Sequence, residues 1–211
     1  MKCGIEGKKL LIIGAGGHGK VAVDIALKMN EWEKVYFLDD DKSITSSIGI
    51  DVIGRINDAY KYIHEYEFFV AVGNNNLREQ ILNNLEKLGA NIATLVHPQV
   101  SIGSMVEIGV GTSLMAGVVI NSSSIIGKGC IINTGSTVDH DSVIEDYVHI
   151  SPGVNLAGEV TVGKGTWLGI GSVVSNNVKI TSGCIIGAGA LVIMNISQKG
   201  TYIGVPVMKI E

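Results

Sequence analysis

Leu114-Met-Ala-Gly-Val-Val-Ile120-Asn-Ser-Ser-Ser-Ile-Ile126-Gly-Lys-Gly-Cys-Ile-Ile132-Asn-Thr-Gly-Ser-Thr-Val138 places an aliphatic residue at every sixth position. The same register runs from Val96 to Val192 and gives 17 consecutive Val, Ile or Leu residues with no insertion. The residue four places further on, from Val106 to Ala190, is always Val, Thr, Ser, Cys or Ala. A period of six matches neither a helix nor an alternating hairpin sheet. It predicts a solenoid of short strands with a corner every six residues, 18 residues to a three-sided coil, and roughly five coils between Val96 and Val192. The aliphatic residue points inward and stacks on its counterpart one coil away, and the small residue packs near the corner. Glycine, Asn or Asp often follows the aliphatic, as at Gly103, Gly109, Asn121, Gly127, Asp139 and Gly163. That pattern predicts positive φ at these positions.

Before the repeats, the chain alternates between strand-like and helix-like segments. Leu10–Ile13, Val35–Leu38 and Phe68–Val72 read as strands, and 20–30 and 77–88 as helices, the latter stopped by Gly89. This alternation implies a parallel sheet with right-handed crossovers. The expected organisation is an α/β domain over 1–95 and a solenoid with a C-terminal cap over 96–211.

Composition narrows the function. Of 211 residues, 46% are hydrophobic and 17% charged, which excludes a disordered charged tail. Glycine, at 28 residues, is roughly twice as common as usual while proline is only 3, so the glycine serves an ordered backbone. The mean hydropathy is +0.35, yet no apolar run approaches the roughly 18 residues of a spanning helix. A net charge of −4 without a basic cluster argues against nucleic acid or a membrane surface as partner. Cys3, Cys130 and Cys184 have no framework or metal-ligand spacing, and the apolar run after the N-terminal lysines is too short for a signal peptide. The expected setting is a reducing cytoplasm.

Gly14-x-Gly16-x-x-Gly19 follows a strand and opens a helix, a position where backbone N–H groups hold phosphate. Asp39 or Asp40, ending the next strand, is placed to accept from a ribose hydroxyl or a base N–H. The bland alternative is a glycine turn that lets helix and strand pack closely. An NAD site is rejected, because a dinucleotide wants two such halves and about 95 residues supply one.

Of the five histidines, His64 reads as solvated surface and His97 as a junction residue before Pro98. His140 and His149 lie within the repeats at non-core positions, nine residues apart, and their side chains point outward. A neutral imidazole suits removal of a proton from an attacking amine at neutral pH. Asp139 and Asp141 flank His140; Asp141 is the expected orienting carboxylate and Asp139 is at a corner. A surface histidine without a role is the alternative. Trp167, Cys130 and Cys184 read as packing residues.

The stretches Gly14–Gly19, Phe37–Asp40, Ala71–Asn75, Asn133-Thr134, His140-Asp141, His149 and Gly204-Val-Pro206 together resemble the left-handed β-helix, hexapeptide-repeat acyltransferases. Within these, the chain is similar to the PglD- and NeuD-type enzymes, the UDP-4-amino-sugar N-acetyltransferases of bacillosamine-type pathways and the sialic acid O-acetyltransferases. The resemblance implies the left hand, a homotrimer, acetyl-CoA as co-substrate, no metal, and a UDP-linked amino sugar as acceptor. It implies His140 as general base, with Asp141 where the family has Glu. It puts Gly16, Gly17 and His18 near the phosphates, Asp39 and Asp40 near the uridine and Gly73 beside them, while Asn74, Asn75 and Arg78 are positional candidates for further contacts. It puts His149, Ala157, Gly158, Ile170, Gly187 and Ala188 along acetyl-CoA, with Asn133 facing the sugar. Turn chemistry is the alternative for the glycines, and inter-subunit packing for His149. O-acetylation of a sialic acid or another sugar is the competing activity. A zinc hydratase is disfavoured because the repeat histidines are not spaced for three ligands, and an inert solenoid would not need an outward histidine flanked by carboxylates.

Overall fold

The computed structural model describes residues 7–210; Cys3 lies outside them. The chain divides into two compact units, one ending at Pro98 and one beginning at Gln99, three residues beyond the boundary expected from the repeat.

The first unit is built on β1 (Lys9–Ile13), α1 (Gly17–Met29), β2 (Lys34–Leu38), β3 (Ser46–Ser47), β4 (Ile50–Gly54), a 3-10 helix (Ile56–Lys61), β5 (Glu67–Val70), α2 (Asn75–Lys87) and β6 (Asn91–Ile92). The sheet order is β3-β4-β2-β1-β5-β6, parallel except for the β3–β4 pair. β1 is central and its Leu10–Ile13 run is fully buried, as a two-sided parallel strand requires. β3, β4 and the 3-10 helix escape the sequence reading because β4, Ile-Asp-Val-Ile-Gly, is half-exposed and shows no continuous apolar run.

Gly14 takes φ +101° and Gly19 abuts the Gly14 carbonyl, so the first turn of α1 packs hard against the end of β1. A side chain at Gly19 has no room there. Gly16 and Gly17 have open space above them, which leaves their backbone accessible.

The second unit is a three-faced parallel β-helix of two-residue strands. Face one holds Ser101–Ile102, Val119–Ile120, Thr137–Val138, Asn155–Leu156, Val173–Val174 and Leu191–Val192. Face two runs from Glu107–Ile108 to Lys179–Ile180, and face three includes Ser113–Leu114, Ile131–Ile132, His149–Ile150, Trp167–Leu168 and Ile185–Ile186. Each strand pairs with the one 18 residues on, for example Val138 with Leu156 and Ile150 with Leu168. Thr201–Ile203 and Met208–Lys209 complete the last face.

The sixfold aliphatic register is buried from Leu114 to Val192, and the small-residue register from Thr112 to Ala190. Small size there is joined by hydrogen bonding. The Ser124 hydroxyl donates to the Asp139 carbonyl and accepts from the Ser142 N–H, so a buried hydroxyl ties coil to coil.

The expectation for the corners needs correction. Positive φ falls on the third residue after the aliphatic, at Met105, Gly111, Gly117, Ser123 and onward to Gly189, and not on the residue directly after it. Gly103, Gly109, Gly127, Gly163 and Gly169 face the backbone of the next coil, where a Cβ would collide. Close approach is therefore what selects glycine at those five positions.

Among the described residues, no helix is long and apolar enough to cross a membrane. None of their groups of His, Cys, Asp and Glu could hold a metal ion.

Candidate active site

His140 is the second residue of the corner between faces one and two. Its Nδ1 lies 2.7 Å from Asp141 Oδ2. The pair is half-exposed, with side-chain exposures of 52% and 57%. The hydrogen bond to the Asp141 carboxylate raises the pKa of the imidazole above its ordinary value, and the charges of Asp139, Asp141 and Glu159 act in the same direction. With Nδ1 engaged by a carboxylate, Nε2 is the nitrogen left to take a proton from a ligand.

Asp139 has a different task. Its Oδ1 accepts the His140 backbone N–H at 2.8 Å and the Asn121 side-chain amide at 2.7 Å. The Asn121 hydrogen bond, then that from the His140 N–H, lowers its pKa. Asp139 therefore fixes the main chain that carries His140.

One coil on, Gly158 sits beneath the imidazole: a Cβ there would lie 2.6 Å from His140 Nε2. Asp139, His140, Ala157, Gly158, Glu159, Asn176 and Asn177 line a cleft of about 340 Å³. Glu159, Asn176 and Asn177 were missed from the sequence, although adding 18 to Asp141 reaches Glu159 and adding 18 again reaches Asn177.

The remaining solenoid candidates lie elsewhere on the coil. Asn133, Ile170, Gly187 and Ala188 are on the corner between faces three and one, where Asn133 Oδ1 caps the Thr134 N–H. His149 opens a strand on face three, and its ring stacks on Trp167 at 5.9 Å and 15°. Trp167, read as packing, is 47% exposed and donates from Nε1 to the Ser151 hydroxyl at 2.8 Å. It occupies the outward position directly before the inward Leu168, so strand alternation carried the signal. Cys130 and Cys184 are buried and free.

In the α/β unit, Asp39 is already engaged. Its two oxygens accept the Ala15 N–H at 2.7 Å and the Asp41 N–H at 2.8 Å, clamping the glycine loop to the end of β2. Asp40 accepts the Ile56 N–H at 3.1 Å. Arg78 is buried; its guanidinium holds the Val72 and Gly73 carbonyls and the Asn75 side chain, so it organises the turn before α2. Asn74 caps α2 by accepting from the Leu77 N–H. His18 is half-buried, edge-on to Phe69, and Gly73 has open space at its Cα. Gly16 opens onto a cleft of about 400 Å³ lined also by Ala15, Lys20, Ser43, Ile44, Ser46, Ser47 and Ile48. Asp40 instead borders a groove of about 610 Å³ between the 3-10 helix and α2. Of the predicted nucleotide contacts, Gly16 borders one recess and Asp40 the other, while Gly17, His18, Asp39 and Gly73 line neither.

Asp39→Ala removes two hydrogen bonds to a charged group and is expected to lower stability by about 2 kcal/mol. A thermal melt checks this.

Known proteins show the same two-part arrangement. Residues 9–85 match the PglD N-terminal domain and residues 159–193 the bacterial transferase hexapeptide (six repeats). The acetyltransferase domain of PglB from Neisseria gonorrhoeae FA1090, solved in complex with acetyl coenzyme A, superposes with a TM-score of 0.93 at 36% identity, covering 96% of this chain and 99% of that one. The chain belongs to the PglD-type hexapeptide-repeat acyltransferases. Their fold, an α/β domain followed by a left-handed parallel β-helix, is the one anticipated from the repeat and the resemblance. PerB from Caulobacter crescentus, in complex with CoA and GDP-perosamine, superposes on this acyltransferase with a TM-score of 0.91 at 33% identity, over 96% and 97% of the two chains. A UDP-N-acetylbacillosamine N-acetyltransferase of Bacillus subtilis (strain 168) is 36% identical over 113 residues, which is 52% of this acyltransferase and about half of that relative's length (52%).

Proposed function

We propose that the chain transfers an acetyl group from acetyl-CoA to the 4-amino group of a UDP-linked amino sugar, with His140 as general base. The observation that carries the reading is the 2.7 Å His140 Nδ1–Asp141 Oδ2 contact in a cleft of this acyltransferase. Asp141 keeps the proton on Nδ1 and stabilises the imidazolium as it forms. The amine attacks the thioester carbonyl carbon, a proton passes from nitrogen to Nε2, and the new C–N bond replaces the C–S bond. His140 then returns the proton to the departing thiolate. The α/β unit supplies nucleotide binding through Gly16, Gly17, His18, Asp39, Asp40 and Gly73. Acetyl-CoA lies against His149, Ala157, Gly158, Ile170, Gly187 and Ala188, and Asn133 faces the sugar. Buried reduced Cys130 and Cys184 suit a cytoplasmic setting.

Of the acetyl-CoA candidates, Ala157 and Gly158 lie on the corner between faces one and two, Ile170, Gly187 and Ala188 lie on the corner between faces three and one, and His149 lies on face three. A ligand held by both corners needs two walls from neighbouring copies, so the active form is a homotrimer with three shared sites. Light scattering should report three times the 22.2 kDa chain mass; an active 22.2 kDa monomer would contradict this.

A thiol-release assay with acetyl-CoA tests the reaction against a UDP-linked 4-amino sugar, a GDP-linked 4-amino sugar and free sialic acid. The UDP-linked amine should give the highest kcat/KM. Preference for the GDP-linked amine would overturn the nucleotide, and preference for sialic acid would overturn the acceptor class.

Asp141→Asn tests the base. General-base catalysis needs the neutral imidazole, so activity falls as the pH drops through the raised His140 pKa. Loss of the Asp141 carboxylate lowers that pKa. The acidic limb of kcat/KM should therefore move to lower pH, while the plateau falls by about tenfold or more. An acidic limb that stays in place would assign it to another group.

A further inference from the structure

The third corner residue takes left-handed φ in every coil, but the three corners fill it differently. Between faces three and one it is glycine throughout, at Gly117, Gly135, Gly153, Gly171 and Gly189. Between faces two and three it is Gly111, Gly129, Gly165 and Gly183, with Tyr147 as the exception. Between faces one and two it is never glycine: Met105, Ser123, Asp141, Glu159 and Asn177 occupy it at φ +56° to +61°. A side chain in this conformation is strained relative to glycine, so the corner that carries His140 retains side chains against a steady backbone preference. These residues stack at one per coil. The Asp141 N–H donates to the Ser122 carbonyl, the Glu159 N–H to the His140 carbonyl and the Asn177 N–H to the Gly158 carbonyl.

The three carboxylates beside His140 differ in their engagements. Asp139 holds the His140 N–H and Asn121, and Asp141 holds Nδ1. The Glu159 carboxylate has no hydrogen bond among the described residues, and it lines the cleft one coil beyond Asp141. The cleft residues include no lysine or arginine to balance it.

We propose that Glu159 is the specificity-determining residue for the acceptor: it binds the ammonium form of the sugar amine and so selects amines over hydroxyls and over anionic sugars. This rests on the proposed acetyl transfer at His140 and names the acceptor's charge. The bound ammonium gives one proton to bulk water before attack and the second to His140 Nε2. Holding the charged form draws the acceptor in, so Glu159 lowers KM, and because it also disfavours deprotonation it does not raise kcat. An anionic acceptor such as sialic acid meets three carboxylates.

The test compares the parent enzyme with Glu159→Gln and Glu159→Gly, using acetyl-CoA with a UDP-linked 4-amino sugar and with its 4-hydroxy counterpart. Glu159→Gln should raise the KM for the amine about 10- to 100-fold, the loss of one charge-assisted hydrogen bond, with kcat unchanged or higher and the KM for acetyl-CoA unchanged. The preference for amine over hydroxyl should shrink by the same factor. Glu159→Gly relaxes the corner and should melt at or above the parent temperature while showing the same KM defect. If the parent acetylates the amine and neither variant changes its KM, the role of Glu159 is overturned and the transfer reaction stands. If the parent uses neither acceptor, the proposed function itself fails. A Glu159→Gly variant that melts well below the parent would assign Glu159 to the fold.

Discussion

His140→Ala is expected to lower kcat by about 10² to 10⁴, the usual contribution of a general base. The side chain is 52% exposed at a corner, outside the stacked aliphatic core, so its removal leaves no buried cavity. The melting temperature and the KM for acetyl-CoA should stay close to those of the parent. Steady-state kinetics and a thermal melt measure both effects. Near-full activity in His140→Ala would remove the imidazole from the mechanism.

Gly158→Ala should cost nearly as much, although it deletes nothing. The added methyl would lie 2.6 Å from Nε2 and 2.7 Å from Cε1 of His140, closer than real Cβ atoms come. The ring is free to swing at an exposed corner, so the fold survives and the imidazole moves. A displacement of about 1 Å at a reacting group is enough for a loss on the order of 10²-fold. The resemblance put Gly158 along acetyl-CoA, where added bulk would act on that ligand; the position of the imidazole predicts a loss of kcat as well. In the His140→Ala background, Gly158→Ala should have almost no further effect, because the group it displaces is absent. A raised KM for acetyl-CoA with kcat unchanged, or additive losses in the double variant, would show that Gly158 acts on acetyl-CoA alone and not through His140.

The solenoid was legible because its core is a one-dimensional code. A residue that must stack on a copy of itself 18 positions away is constrained to one chemical type, and Leu114 through Val192 record that constraint in every coil. The backbone at the corners was not legible. Both Gly103 and Gly117 are corner glycines, yet one avoids the backbone of the next coil and the other adopts left-handed φ. A glycine in a sequence does not say which of these it serves.

Site legibility followed a similar division. His140 and Asp141 are adjacent in sequence, and their pairing needed only an outward corner. Glu159 and Asn177 reach the same cleft through the coil period, a signal available in the sequence but easily overlooked once attention rests on histidines. In the α/β unit, Asp39 was correctly placed at the end of β2. Its bonds to the Ala15 and Asp41 N–H groups depend on a loop path that no periodicity reveals. Lys20, Ser43, Ile44, Ser46, Ser47 and Ile48 were passed over because they border a recess formed by β3 and the loop before it, elements with almost no apolar signature.

The most direct measurement of the central claim is the identity of the product. Wild-type enzyme incubated with acetyl-CoA and a UDP-linked 4-amino sugar should yield one equivalent of free thiol and one acetyl group, located by NMR as an amide on the 4-nitrogen. An acetyl ester on a sugar hydroxyl, or thiol release without acetylated sugar, would contradict it.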